Sequence, residues 1–251
     1  MPFLNSVISW LNIKRINQIS LYDKYPLEIQ TETLLKLVDK ARDTEWGKTY
    51  GYDTIKNYAD FKSRVPLQDY DKMKSYIVRL RQGQKNLLWP GEIKWFAKSS
   101  GTTSDKSKFI PVTSDSLEDC HFRCGRDVLA LYNHNYPENG IFSGKSLTLG
   151  GSHQINNFNN DSYYGDLSAI LIENIPFWAN FIRTPKAETV LIEDFEKKIE
   201  SMVRETVNEN VTSIAGVPSW NLVLLKRVLE YTGKSNLLEV WPNLELFIHG
   251  E

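Results

Sequence analysis

The sequence predicts an α/β fold, in which a helical N-terminal segment precedes strands that alternate with amphipathic helices. Three observations carry this reading. The first sixty or so residues place apolar side chains at helical spacing. From Ile93 onward, short runs of β-branched and aromatic residues recur between turn signals. Between two such runs, Phe195, Ile199, Met202, Val203 and Val207 mark one face of a helix, so strand and helix alternate as they do in β-α-β crossovers.

The elements follow in order. Phe3, Leu4, Val7, Ile8 and Leu11 recur at helical spacing but are interrupted by Asn5 and Ser6, which fits an amphipathic helix better than an export signal. Pro26 suits a first helical turn, and Leu27, Leu34, Leu35, Val38 and Ala41 then share a face up to a break at Trp46-Gly47. Tyr70 to Arg81 predicts another helix, ending near Gly83. After the turn Trp89-Pro90-Gly91, Ile93 to Lys98 alternates as a strand does. It runs into Ser99-Ser100-Gly101-Thr102-Thr103-Ser104, which has no capacity to form core and reads as a loop. Asp115, with Glu118 three positions later, is the expected cap of a helix reaching about Tyr132, closed by Pro137 and Gly140. Ser146 to Leu149, Val211 to Ala215 and Leu244 to His249 read as strands, Asn156 to Asn160 as a surface loop, and Leu222 to Leu229 as a second, more buried helix.

Composition narrows function by exclusion. With 251 residues, 41% hydrophobic and 24% charged, the chain matches ordinary globular proteins and can build a sizeable core. Thirty Lys and Arg against 31 Asp and Glu leave a net charge of -1, so no global field recruits nucleic acid or an acidic membrane. No run approaches the roughly 18 apolar residues of a membrane span. Two cysteines do not make a disulfide framework, and a reducing, cytoplasmic setting suits them. Any anion must therefore be held by a local device.

The hydroxyl-rich turn from Ser99 to Lys108 is the best candidate for that device. Backbone N–H groups and small hydroxyls after a strand can wrap a polyphosphate, and Lys108 adds a point charge. Neither G-x-x-x-x-G-K-[ST] nor G-x-G-x-x-G occurs, which disfavours the P-loop and dinucleotide folds. On composition alone, an ordinary surface loop explains the same residues.

Context decides between them. Lys98-Ser99-Ser100-Gly101-Thr102-Thr103-Ser104 followed by Lys108-Phe109-Ile110-Pro111-Val112-Thr113 resembles the first nucleotide-binding motif of the Gretchen Hagen family of acyl-acid amido synthetases, within the adenylate-forming superfamily. Thr44-Glu45-Trp46-Gly47-Lys48, Val65-Pro66-Leu67-Gln68-Asp69-Tyr70, Gly165-Asp166-Leu167-Ser168, Gly216-Val217-Pro218-Ser219-Trp220 and Val240-Trp241-Pro242-Asn243-Leu244 also look like bacterial members, in the family's order.

The resemblance implies a fold, a division and a reaction. The fold is a mixed sheet covered by helices, part of the large adenylate-forming domain, with residues 1–85 as a helical segment packing on an α/β nucleotide-binding portion over 86–251. The reaction joins a carboxylate to ATP as an acyl-adenylate and then transfers the acyl group to an amine, usually an amino acid, with Mg²⁺ arriving through the nucleotide. Ser99, Ser100, Thr102 and Thr103 would hold phosphates and Gly101 would let the backbone approach. Lys108 closes the motif, touching phosphate or only anchoring the loop. Val217, Pro218, Ser219 and Trp220 are acyl-pocket candidates, with a Pro-primed helix start and packed Trp as the structural alternative. His249 and Gly250 would lie on the adenine side, where Glu251 stands in place of a second Gly. The second and third nucleotide motifs and the lid domain of the family are absent from these residues, so the chain reads as an N-terminal half, inactive alone and partnered by the remainder of its own protein. No catalytic residue is assigned within it. Thioester formation, or a binding module that keeps the fold without the reaction, are the alternatives.

Other signals carry less. Cys120 and Cys124 stand at i and i+4 without a second ligand pair and read as packing cysteines rather than a metal site. His134 and His153 lie near loops without catalytic partners, and Glu193 to Arg204 reads as a solvated, mixed-charge helix. Trp89, Trp95, Trp178, Trp220 and Trp241 sit beside apolar residues and Pro, as core tryptophans do.

Overall fold

The computed structural model describes residues 2–99, 107–150, 156–157 and 162–249. They form two compact units, one made of Asn17–Ser116 with Asn156–Gly165, the other of Leu117–Ile155 and Asp166–Glu251 with the first sixteen residues. Among the described residues the strands are β1 (Trp95–Lys98), β2 (Phe109–Val112), β3 (Lys145–Leu149), β4 (Asn156–Asn157), β5 (Tyr163–Gly165), β6 (Arg183–Thr184), β7 (Val211–Gly216) and β8 (Leu246–Ile248).

The chain opens with helices. One covers Pro2–Lys24 and a second Pro26–Ala41, where Pro26 occupies the first turn because its missing N–H would be unpaired there anyway. The expected break at Trp46-Gly47 is displaced. The chain turns at 42–44, and both residues lie inside the short helix Glu45–Thr49. Gly47 serves close packing there: a Cβ on it would stand 2.2 Å from the Ala41 carbonyl oxygen. Thr44 holds this corner, its buried hydroxyl accepting from Gly47 N at 3.0 Å and donating to Ala41 O at 2.7 Å. Thr44→Val keeps the shape and removes both bonds, so a loss of about 1–2 kcal/mol is expected in urea denaturation. A change below about 0.3 kcal/mol would show that the hydroxyl does not hold the corner.

The helix over Tyr70–Arg81 has the bounds read from sequence. Asp69 caps it through Lys72 N at 2.9 Å, and Gly83 follows at φ +83°. Its Ile77 and Leu80 pack with Leu87, Ile93 and Phe96 beneath a four-stranded sheet of order β2-β1-β5-β4. This sheet is mixed: β1 pairs antiparallel with β2 and parallel with β5. Asn156 and Asn157, expected in a loop, form β4 by pairing with Tyr164 and Tyr163. Strand β2 was not foreseen because Pro111 interrupts it, yet β2 is an edge strand, where a residue without an N–H is tolerated.

The other unit is built on a fully parallel sheet of order β6-β3-β7-β8. Leu147, Leu149, Val211 and Ile214 from the strands pack with Ile199, Met202 and Val203 of the helix Phe195–Thr206. Leu224 and Val228 of the helix Pro218–Thr232 and Trp241 complete this core. Leu222 and Val223 are exposed, so the Pro218–Thr232 helix is less buried than its apolar run suggested.

Asp115 is not the cap expected of it. Thr113 and Ser116 cap the helix reciprocally, each side-chain oxygen accepting from the other's N–H at 3.0 Å. Asp115 instead accepts from Lys40 and from Trp89 Nε1, and these bonds hold its carboxyl below the usual range. The helix then passes through a π-helical turn at Leu117–Phe122 and continues as Arg123–Asn135. Cys120 and Cys124, expected to pack, are both exposed.

Candidate functional site

Two places carry the residues singled out above, one in each unit. The first is the connection between β1 and β2. Ser99 N donates to Lys108 O at 2.9 Å, and Lys108 N reaches Ser99 Oγ at 3.3 Å, so this pair closes the antiparallel ladder at the root of the turn. Ser100, Gly101, Thr102 and Thr103 lie outside the described residues. The root is firmly built. Phe109 N donates to Tyr70 Oη at 2.9 Å, Arg81 lies 4.0 Å over the Phe109 ring, and Tyr164 meets Phe109 edge to face at 5.3 Å. Lys108 Nζ stands 5.6 Å from the centre of the Tyr70 ring, a cation-π distance. In this arrangement the ammonium rests on the aromatic ring that anchors the turn.

The second place is the carboxyl edge of the parallel sheet. Register pairs Leu149 with Gly216 and Ala215 with Ile248, so the carboxyl ends of β3, β7 and β8 lie at one edge. Glycine is required at Gly216, and Gly150 is closely packed. A Cβ on Gly150 would meet Ile172 Cδ1 at 2.8 Å, and one on Gly216, at φ +144°, would meet Leu149 O at 2.7 Å. Beyond Gly216 the helix Pro218–Thr232 begins, with Pro218 in its first turn and no side-chain cap from Val217. Its leading N–H groups are therefore open at the edge where parallel sheets receive ligands. Ser219 is exposed and Trp220 is 39% exposed, so the Pro-primed helix start of the structural alternative is present while its Trp is only partly packed. His249, just beyond β8, is exposed with its ring 5.1 Å from Phe247; Gly250 lies outside the described residues. Val217 to Trp220 and His249 thus flank one sheet edge.

One residue was missed. Lys198 is fully buried, 0% exposed, where a solvated helix face was expected. Its Nζ lies 3.5 Å from the Gly150 carbonyl. Burial pushes the ammonium down to about 8, against the opposing charge of Asp166. The signal was present: Lys198 falls three residues after Phe195 and four before Met202, inside the apolar stripe. Among the described residues no cluster of three His, Cys, Asp or Glu side chains converges as a metal site, and His134 is exposed. His153 lies outside the described residues.

The profile of the GH3 family N-terminal domain matches residues 15–250. The chain belongs to the GH3 family. Its similarity to characterised members is partial. It is 31% identical over 121 residues to a jasmonoyl–L-amino acid synthetase of Nicotiana attenuata, covering 48% of this chain and 20% of that protein. A jasmonoyl–L-amino acid synthetase of Oryza sativa subsp. japonica is 30% identical over 142 residues, 56% of this chain and 24% of its own length. An indole-3-acetic acid-amido synthetase of Arabidopsis thaliana is 26% identical over 116 residues, covering 46% and 21%. The chain thus spans about a fifth to a quarter of these relatives. Among solved structures, a GH3.15 acyl acid amido synthetase superposes with a TM-score of 0.67 at 19% identity, over 84% of this chain and 38% of that one. A second structure, of an acyl acid amido synthetase in complex with 2,4-DB, gives 0.66 at 21% identity, over 85% and 38%. These likenesses establish the fold: the helical N-terminus and mixed sheets are those of GH3 amido synthetase structures. No described helix is long and apolar enough to cross a membrane.

Proposed function

We propose that this chain is the nucleotide- and acyl-binding part of an ATP-dependent acyl-acid amido synthetase, working in the cytoplasm with the remaining portion of its own protein. The observation that carries the reading is the family match over 15–250 together with the Ser99-Lys108 closure, which roots the hydroxyl-rich turn of the family's first nucleotide motif between two strands. In this reading Ser99, Ser100, Gly101, Thr102 and Thr103 cradle the β and γ phosphates, with Lys108 steadying the turn on Tyr70. Val217, Pro218, Ser219 and Trp220 border the acyl group beside open N–H groups at a helix start, and His249 and Gly250 lie toward adenine. The carboxylate attacks the α-phosphorus, pyrophosphate leaves, and an amine then displaces AMP. Bringing two anions together makes positioning and charge neutralisation the protein's main contribution. In this reading Mg²⁺ travels on the nucleotide.

Carboxylate-dependent exchange of labelled pyrophosphate into ATP, run on a full-length form, tests this directly. Thr102→Ala combined with Thr103→Ala is expected to lower exchange by roughly 10²-fold while leaving the thermal midpoint unchanged. Exchange that is present but insensitive to this pair would remove the turn from the phosphate site. Product analysis with amino acids against coenzyme A separates amide from thioester formation, and absence of exchange with every acid tried would favour a binding module.

A further inference from the structure

Lys198 sits where a methionine would pack with less cost. Its helix turns Phe195, Ile199, Met202 and Val203 toward the parallel sheet, and Lys198 lies among them without exposure. An ammonium has three donors, yet among the described residues Lys198 makes a single long hydrogen bond, to Gly150 O at 3.5 Å, and Asp166 is the acid in its field. Taking an ammonium out of water for so little return opposes folding, and an apolar side chain of similar volume would avoid that cost. Stability therefore does not explain a lysine at this position.

What the ammonium touches does. Gly150 is the first residue beyond β3, at the carboxyl edge next to Gly216, and packs closely against the side-chain ends of Ile172 and Val190. Asp166 directly precedes the helix Leu167–Glu173, which supplies Ile172. Lys198 thus reaches Gly150 at the end of β3.

We propose that Lys198 is a positioning residue, whose buried ammonium uses the Gly150 carbonyl to hold Gly150 in place at the end of β3, on the edge that bears Val217 to Trp220, for the benefit of turnover there. The role in turnover rests on the acyl-activating reading of that edge; the positioning itself does not.

Lys198→Met tests it, with Lys198→Gln as a second variant that keeps a donor but not the charge. Amide hydrogen exchange and the thermal midpoint are measured on this chain, and pyrophosphate exchange on the full-length form. The expected result for Lys198→Met is a midpoint equal to or above that of the native chain. Amide exchange should rise roughly tenfold at Gly150 and at Ala169 and Ile170, with the Val203 to Thr206 amides unchanged. The exchange kcat should fall by about tenfold or more with the ATP KM within about twofold, the pattern of lost positioning rather than lost binding. Lys198→Gln should fall between the two in amide exchange. A lower midpoint with unchanged kcat would make Lys198 merely structural, and unchanged amide exchange at Gly150 would overturn the proposal outright. If the native full-length protein shows no pyrophosphate exchange, the acyl-activating reading fails, while the amide-exchange arm still decides the positioning.

Discussion

Trp241→Ala is expected to destabilise the parallel-sheet unit by about 3–5 kcal/mol, enough to unfold most marginally stable domains. The indole is 1% exposed and packs in the core formed by β3, β7 and the helices Phe195–Thr206 and Pro218–Thr232. Its Nε1 donates to Thr206 O at 3.1 Å, so the ring is both filler and fastener. Truncation leaves a cavity whose walls belong to several elements and cannot easily collapse. Trp220, 39% exposed on the neighbouring helix, provides the internal comparison: Trp220→Ala should cost less than about 1 kcal/mol. Urea denaturation followed by far-UV circular dichroism measures both, and equal losses would contradict this assignment of the core.

The second large effect is on the pH dependence of stability. Lys198 is shifted from 10.5 to about 8 because burial opposes its charge more than Asp166 favours it. Below pH 8 both the folded and the unfolded chain carry the proton, and the folded state bears the full cost of the buried charge. Between about 8 and 10.5 the unfolded chain holds more protons than the folded one, so stability rises with pH over this window. The full rise is on the order of 3 kcal/mol. Lys198→Met removes the titrating group and should be the more stable form at pH 7 by a similar order, with the advantage shrinking toward pH 10. Urea midpoints of both proteins at pH 7, 8, 9 and 10 give the difference directly, which cancels other groups that titrate in the same range. A constant difference across that range would show that Lys198 does not titrate there.

How far the sequence alone reached depends on the range of the forces involved. The Tyr70–Arg81 helix was legible to the residue because its cap, apolar face and terminal glycine are local features. The run Val211 to Ala215 was legible because Val211, Thr212 and Ile214 are β-branched in a short stretch, as strand residues are. Strands β4, β5 and β6 were not, since two or three residues become a strand only through the partner they meet. The candidate site divides in the same way. Its residue types and their order pointed to nucleotide and acyl binding, and Gly216-Val217-Pro218 announced a strand, a tight turn and a helix start.

By itself, then, the sequence determined the α/β class, the order of most elements and the family, because periodicity, capping and motif order are written along the chain. Only the tertiary structure decided that Trp241 is core while Trp220 is exposed, that Gly47 is there for packing, that Cys120 and Cys124 face outward and that Lys198 is buried beneath Gly150. Burial is a property of what the rest of the chain places around a residue, and no local pattern contains those neighbours.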